Sequence, residues 1–169
     1  RSANEVIEEA RESVANLINA QSSEIIFTSG ATESNNLALK SIAKNYFENK
    51  CQIISCKTEH KCVLESCHEL DKEGFKVTYL DVDEEGLINI NELENILKKE
   101  KSLVSIMMAN NETGVIQDVK KIGELCKKYN SIFHSDIAQS IGTQKIDVNE
   151  LSIDACAISA HKIYGPKGI

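Results

Sequence analysis

Three neighbouring segments, LVSIMM (103–108), VKKIGELCKKY (119–129) and SIFHSD (131–136), carry the clearest fold signal in the sequence. The outer pieces are short apolar runs that are typical of buried strands, and the middle piece has apolar residues at helical spacing. Parallel strands need a crossover connection, usually a helix, so this order predicts a βαβ unit.

The same alternation continues on both sides of this unit, which predicts one α/β domain with a mainly parallel sheet and flanking helices. We expect Asn91 to cap a helix that runs to Lys99, with Glu94 completing a capping box. Further helices are predicted at 3–20, 31–47 and 61–73, and further strands at 24–28, 52–55, 75–80 and 155–159.

Composition limits the function classes. The chain has 169 residues, of which 41% are apolar, enough for one domain with a real core. Its formal net charge of −7 disfavours direct nucleic-acid binding, which needs a basic face. No apolar run is long enough to span a membrane. Because Arg1 stands inside a helical pattern without a preceding Met, we interpret the chain as a piece of a longer protein.

The cysteines do not indicate a disulfide framework or a metal site. The chain is neither short nor loop-rich, and the spacings do not match paired C-x-x-C ligands. We therefore expect reduced thiols and no bound metal. The six cysteines are Cys51, Cys56, Cys62, Cys67, Cys126 and Cys156.

Polar residues follow five of the predicted strands. In open α/β sheets, ligands bind beyond the carboxyl ends of the strands, so these residues are expected to surround one site. The candidates are Ala31 and Thr32 after the first strand, His60 after the second, Asn111 after the fourth, Asp136 and Gln139 after the fifth, and Ser159, His161 and Lys162 after the last.

This set of groups fits one ligand, pyridoxal 5′-phosphate (PLP). A lysine such as Lys162 can form a Schiff base with its aldehyde, and an acid such as Asp136 can pair with the ring nitrogen. The helix start after Gly30 offers backbone N–H groups to a phosphate. Thr32, Ser159 and His161 can add donors to that phosphate, and His60 can lie flat on the ring.

The chain resembles the cysteine desulfurases of the IscS/NifS group, which are PLP enzymes related to class-V aminotransferases. The likeness covers essentially the whole sequence, and its last stretch, read with Asp136 upstream of Lys162, is the most specific. The stretches that carry it are TSGATESNN (28–36), TEHKCVLESC (58–67), NNETGV (110–115), HSDIAQSIG (134–142) and ISAHKIYGPKG (158–168).

The resemblance implies the large domain of a fold type I PLP-dependent transferase. Residues 1–169 would form its central part, and the small domain and the loop with the catalytic cysteine would lie outside the chain. Lys162 would hold PLP and move the substrate Cα proton, and His60 would stack on the ring and act as acid or base. Asn111 and Gln139 would reach the ring oxygen or the substrate carboxylate.

The resemblance also implies a reaction and partners. The enzyme would convert L-cysteine to L-alanine and pass the sulfur as a persulfide to iron–sulfur cluster assembly or tRNA thiolation. It would be a homodimer that meets a scaffold protein and sulfur acceptors, in a bacterial cytoplasm or in a mitochondrion or related organelle.

Three alternatives remain open at this stage. The first is another PLP enzyme of the same fold, a selenocysteine lyase or an aminotransferase. The second is a non-catalytic interaction module that keeps the fold. The third, which the cysteine spacing makes a minor one, is a metal-binding domain.

Overall fold

A computed structural model describes residues 2–47 and 49–169 as a five-stranded sheet with helices on both faces. Two single 3₁₀ turns, Ser22–Glu24 and Ala160–Ile163, accompany these elements. The helices are α1 (Ala3–Ile18), α2 (Ala31–Asn45), α3 (Lys61–Lys72), α4 (Ile90–Leu97) and α5 (Val119–Lys128). The strands are β1 (Gln52–Cys56), β2 (Lys76–Leu80), β3 (Ser102–Ser105), β4 (Ile132–Asp136) and β5 (Ala155–Ala157).

The sheet has the order β2-β1-β3-β4-β5, and every neighbouring pair is parallel. All residues of β1 and β3 are buried, as expected for inner strands that are covered on both faces. The α/β fold and the parallel sheet predicted from the alternation are confirmed. Because the strands run in one direction, their carboxyl ends all lie at one edge of the sheet.

The core has two parts, one on each face of the sheet, because alternate residues of a strand point to opposite sides. Ile54, Val104 and Phe133 belong to the cluster that packs against α1, α4 and α5. Ile53 and Leu103 belong to the cluster under α2 and α3. None of the helices in the described part of the chain is both long and apolar enough to span a membrane.

Local sequence explains several helix ends. Ser2 begins α1 with a complete capping box to Glu5. Helix α3 ends in a turn where Gly74 has a φ of 90°, and the N–H of Phe75 donates to the carbonyl of Leu70. The predicted cap of α4 was wrong, because Asn89 and not Asn91 accepts the first free N–H groups of that helix.

The predicted strand at 24–28 was also wrong. Its first residue ends a 3₁₀ turn, and residues 25–28 pair with no strand among the described residues. Ile26 is 69% exposed and Phe27 38% exposed, with the Arg11 guanidinium 4.9 Å from the Phe27 ring centroid. An apolar run becomes a strand only where a neighbouring backbone supplies hydrogen bonds, and local sequence cannot reveal that neighbour.

The predicted strands at 103–108 and 155–159 end earlier, at Ser105 and Ala157. Residues 106–108 nevertheless stay buried, and the N–H groups of Ile106 and Met108 still donate to carbonyls of β4. The chain therefore leaves the sheet gradually at this edge.

Candidate functional site

A cavity of about 590 Å³ lies at the edge where the strands end. Its size falls in the range of small-molecule and cofactor sites, and its position is the usual one for ligands of parallel sheets. All nine residues predicted from the strand ends line it, namely Ala31, Thr32, His60, Asn111, Asp136, Gln139, Ser159, His161 and Lys162.

The start of α2 forms one wall of the cavity. Gly30 is the N-cap with a φ of 132°, which a residue with a side chain rarely adopts, and it has no side chain to cap the helix. The first free N–H groups of the helix therefore face the site without a side-chain partner from the cap. Glu33 instead accepts hydrogen bonds from the backbone and hydroxyl of Ser29, and these bonds lower its pKa.

His60 has two roles at the start of α3. Its Nδ1 accepts a hydrogen bond of 3.2 Å from the N–H of Cys62 and thereby caps the helix. Because a backbone N–H can only donate, Nδ1 is the unprotonated nitrogen, and the neutral ring carries its proton on Nε2. The ring also lines the cavity, so capping the helix and facing a ligand are compatible.

The loop after β3 is shaped by Asn110. Its side-chain oxygen accepts from the N–H groups of Glu112 and Thr113 at 2.9 Å, and its amide donates to the carbonyl of Thr58 at 2.7 Å. These bonds hold a tight turn against the loop after β1. Asn111, the next residue, is exposed and lines the cavity.

Asp136 ends β4 at the floor of the cavity and is only 6% exposed. Its Oδ1 accepts from the N–H of Ala138 at 3.0 Å, and its Oδ2 accepts from the amide of Asn35 at 2.7 Å. Both carboxylate oxygens are thus oriented by donors.

The segment after β5 brings a lysine to the same cavity as this acid. Ser159 is buried and its hydroxyl lies 2.7 Å from Nδ1 of His161. Lys162 follows in the 3₁₀ turn, where its N–H donates to the carbonyl of Ser159. The side chain of Lys162 is exposed to the cavity, together with that of Lys167.

Two buried titratable groups lie close to Asp136, namely Glu59 in the loop after β1 and His134 on β4. Glu59 accepts from the N–H of Met107 at 2.6 Å, and its other oxygen has no partner among the described residues. Burial, reinforced by the nearby Asp136, raises the pKa of Glu59 to about 8. His134 bonds Ser105 through Nδ1, and burial lowers its pKa to about 4.

The sequence did not single out Asn35, Cys62 or Glu59 as parts of this site. Helical periodicity contained a signal for Asn35, because it lies one turn after Ala31 on the same face of α2. Cys62 lies two residues after His60, and its Sγ is 3.0 Å from Nδ1 of that histidine. Nothing local marked Glu59, because its partner Met107 follows β3, 48 positions further along the chain.

The described residues contain neither a disulfide nor a cluster of metal ligands. All six cysteines are free thiols. Within residues 2–47 and 49–169, no group of three or more His, Cys, Asp and Glu side chains is placed to hold a metal ion.

Comparison with known proteins agrees with the geometry. The family model for aminotransferase class-V matches residues 1–169. The chain belongs to this family. The predicted resemblance to cysteine desulfurases is confirmed as well, because curated relatives of this class-V chain carry that name.

The chain is 54% identical over 166 residues to the probable mitochondrial cysteine desulfurase of Dictyostelium discoideum, covering 98% of the chain and 37% of that protein. It is 54% identical over 167 residues to the cysteine desulfurase IscS of Colwellia psychrerythraea, covering 99% of the chain and 41% of that protein. The chain thus spans well under half the length of these class-V relatives.

A solved structure of SspA in complex with cysteine has the same fold, with a TM-score of 0.93 and 43% identity. The match covers 98% of the chain and 48% of SspA. The class-V fold predicted from the sequence is therefore confirmed at the level of the tertiary structure.

Proposed function

We propose that the full-length protein is a PLP-dependent L-cysteine desulfurase and that residues 1–169 form its cofactor site. One observation supports this most strongly: a single cavity brings together the start of α2, the buried carboxylate at the end of β4 and an exposed lysine that follows β5. PLP is the cofactor that the class-V family implies.

The donor set fits PLP end by end. The uncapped start of α2, with Thr32, Ser159 and His161 nearby, offers donors and a positive dipole end to the phosphate. Asp136, whose carboxylate is oriented by two donors, would pair with the ring nitrogen. Lys162 would supply the amine that holds the aldehyde. When bound, PLP supplies an electron sink for the loss of the substrate Cα proton.

The chain's own residues would then orient the substrate and move protons. Lys162 is the base that would take the Cα proton, and His60 would lie on the ring and hydrogen-bond through the proton on Nε2. Asn111 and Gln139 would bind the ring oxygen or the substrate carboxylate from the rim of the cavity. Each of these roles follows from position in the cavity and from the resemblance to cysteine desulfurases.

The fate of the sulfur completes the proposal. The thiolate of a cysteine outside residues 1–169 would attack the sulfur of L-cysteine, so that an S–S bond forms and the substrate S–Cβ bond breaks. The enzyme cysteine would then carry the persulfide, and protonation of the substrate Cβ would give L-alanine. The persulfide would serve iron–sulfur cluster assembly or tRNA thiolation through a scaffold protein and sulfur acceptors. We further propose a homodimer in which this chain is the central part of the large domain and the small domain lies outside it.

The relatives are compatible with two cellular locations, because they include both mitochondrial enzymes and bacterial IscS proteins. A bacterial cytoplasm and a mitochondrion or related organelle therefore both remain part of the proposal.

The test begins with the full-length protein and PLP. We would reduce the complex with borohydride and map the labelled lysine by peptide mass spectrometry, with Lys162→Ala and Lys167→Ala as matched variants. Both lysines line the cavity, so the pair distinguishes a specific site from general lysine reactivity. Label on Lys162 that persists in Lys167→Ala is expected. Label on Lys167 alone, or none in folded protein, contradicts the cofactor site and favours an interaction module.

The second part of the test identifies the reaction. We would measure alanine and sulfide release from L-cysteine in the presence of a thiol reductant, beside selenide release from L-selenocysteine and amino transfer to a keto acid. Equal moles of alanine and sulfide from L-cysteine are expected. Selenide release without sulfide release would indicate a selenocysteine lyase, and amino transfer alone would indicate an aminotransferase.

A further inference from the structure

Asn35 is a fully buried polar residue in the second turn of α2, facing the sheet. Its amide donates to Oδ2 of Asp136 at 2.7 Å, while the N–H of Ala138 donates to Oδ1 at 3.0 Å. A carboxylate held at both oxygens by donors from two different elements has a defined plane. Of these two donors, the Asn35 amide belongs to a side chain, so a substitution removes it without changing the backbone.

The surroundings of Asn35 do not favour it for stability alone. Its side-chain oxygen is buried and has no partner among the described residues. An unsatisfied buried acceptor opposes folding, so it offsets part of the stability that the hydrogen bond to Asp136 contributes. Turning the amide over would place this oxygen against the Asp136 carboxylate, so Asp136 also determines which way the amide points.

Helix α2 connects Asn35 to the other end of the cavity. Ala31 begins the helix at the uncapped N-terminus, and Asn35 lies four residues later on the same face, about 6 Å along the axis. One rigid element therefore contains the proposed phosphate site and the donor to Asp136. The Asn35 amide also lies 3.4 Å from Sγ of Cys62, which contacts His60.

We propose that Asn35 is a positioning residue that orients the Asp136 carboxylate toward the cofactor ring nitrogen and couples that orientation to the phosphate end through α2. This inference rests on the proposed function, since it assumes PLP in the cavity. It concerns a residue that would act through Asp136 without touching the cofactor itself.

The test is a double-mutant cycle in the full-length holoenzyme. We would measure the rate of PLP release after transfer into a PLP-trapping solution for wild type, Asn35→Ala, Asp136→Ala and the double variant. Loss of a hydrogen bond to a charged group is expected to speed release about tenfold or more in Asn35→Ala. In the Asp136→Ala background, the same substitution is expected to add little, because the group that it orients is gone.

The control is Asn36→Ala, the neighbouring residue on α2, whose amide donates to the carbonyl of Thr32 within its own helix. It should release PLP at the wild-type rate. If Asn35→Ala is poorly folded as the apoprotein, Asn35→Leu takes its place in the double-mutant cycle, because leucine restores the buried volume. A spectroscopic readout, the ¹⁵N shift of ring-labelled PLP, should change in the Asn35 variant and not in the control.

Additive effects of the two substitutions, or an Asn35 variant with wild-type release and ring-nitrogen shift, would overturn the inference. Wild-type protein that takes up no PLP would instead contradict the proposed function. The two failures are therefore distinguishable in the same set of samples.

Discussion

Replacing Glu59 with Gln should change how stability depends on pH, because this carboxyl is buried and carries a pKa raised to about 8. The unfolded chain has the ordinary carboxyl pKa near 4.5. Between these values the folded state holds a proton that the unfolded state has lost. The stabilising effect of that proton is complete below the unfolded pKa and is lost as the pH rises through the folded pKa.

The neighbouring His134 has the opposite dependence. Its pKa is lowered from 6.5 to about 4, so protonation of the unfolded chain destabilises the fold as the pH falls below 6.5. Between pH 4.5 and 6.5 the opposite effects of Glu59 and His134 on the free energy of unfolding largely cancel. Above pH 6.5, Glu59 is the one of these two groups that still changes this free energy. From pH 6.5 to 8, at about 1.4 kcal/mol per pH unit, Glu59 should lower the free energy of unfolding by about 2 kcal/mol.

The assay compares wild type with Glu59→Gln in the full-length protein by urea unfolding at several pH values between 6.5 and 8. Gln keeps an oxygen that can accept the Met107 N–H and does not titrate. From pH 6.5 to 8, the free energy of unfolding of the variant should rise by about 2 kcal/mol relative to that of wild type. Subtracting the wild-type free energy of unfolding from that of the variant at each pH removes the contributions of other titrating groups, such as Cys67 with its raised pKa. Parallel curves would refute the assignment of a buried, proton-bearing Glu59.

Three further predictions concern the helices and the site. Gly123→Ala should lower the free energy of unfolding by about 1–3 kcal/mol, because its Cβ would lie 1.9 Å from the carbonyl oxygen of Leu151; urea unfolding measures this. His60→Asn should preserve stability better than His60→Ala, by about 1 kcal/mol, because Asn can still cap the N–H of Cys62, while both variants lose desulfurase activity. Asp136→Ala should weaken PLP retention and abolish turnover, measured by PLP absorbance and alanine release, because the ring nitrogen loses its partner.

The controls for these predictions use neighbouring positions. Lys120→Ala, at an exposed site of α5, should leave unfolding unchanged, and a tolerated Gly123→Ala would show that α5 and Leu151 do not pack as described. Equal stability of the two His60 variants would contradict the cap. Wild-type activity in Asp136→Ala would contradict the role proposed for that carboxylate.

Much of the fold was predictable because the signals were local. The apolar run that became β4 and the helical spacing of α5 each depend on neighbouring residues alone. The strand predicted at 24–28 failed because a strand also needs a partner, and residues 25–28 have none among the described residues. The cap of α4 shifted from Asn91 to Asn89 because both residues suit a cap and only backbone geometry chooses between them.

Local patterns in the sequence predicted the alternation of strands and helices, and the rule that parallel strands end at one edge predicted seven of the residues that line the cavity. Ala31 and Thr32 also line it, although the strand predicted before them is absent. Tertiary contacts alone bring Asn35 of α2 to Asp136 of β4, 101 positions away, and bury Glu59 in the loop after β1. Periodicity reports which face a residue occupies, because it depends on local backbone geometry. The hydrogen bonds and the pKa of a residue depend on which other elements pack against that face, and this packing forms only when the whole chain folds.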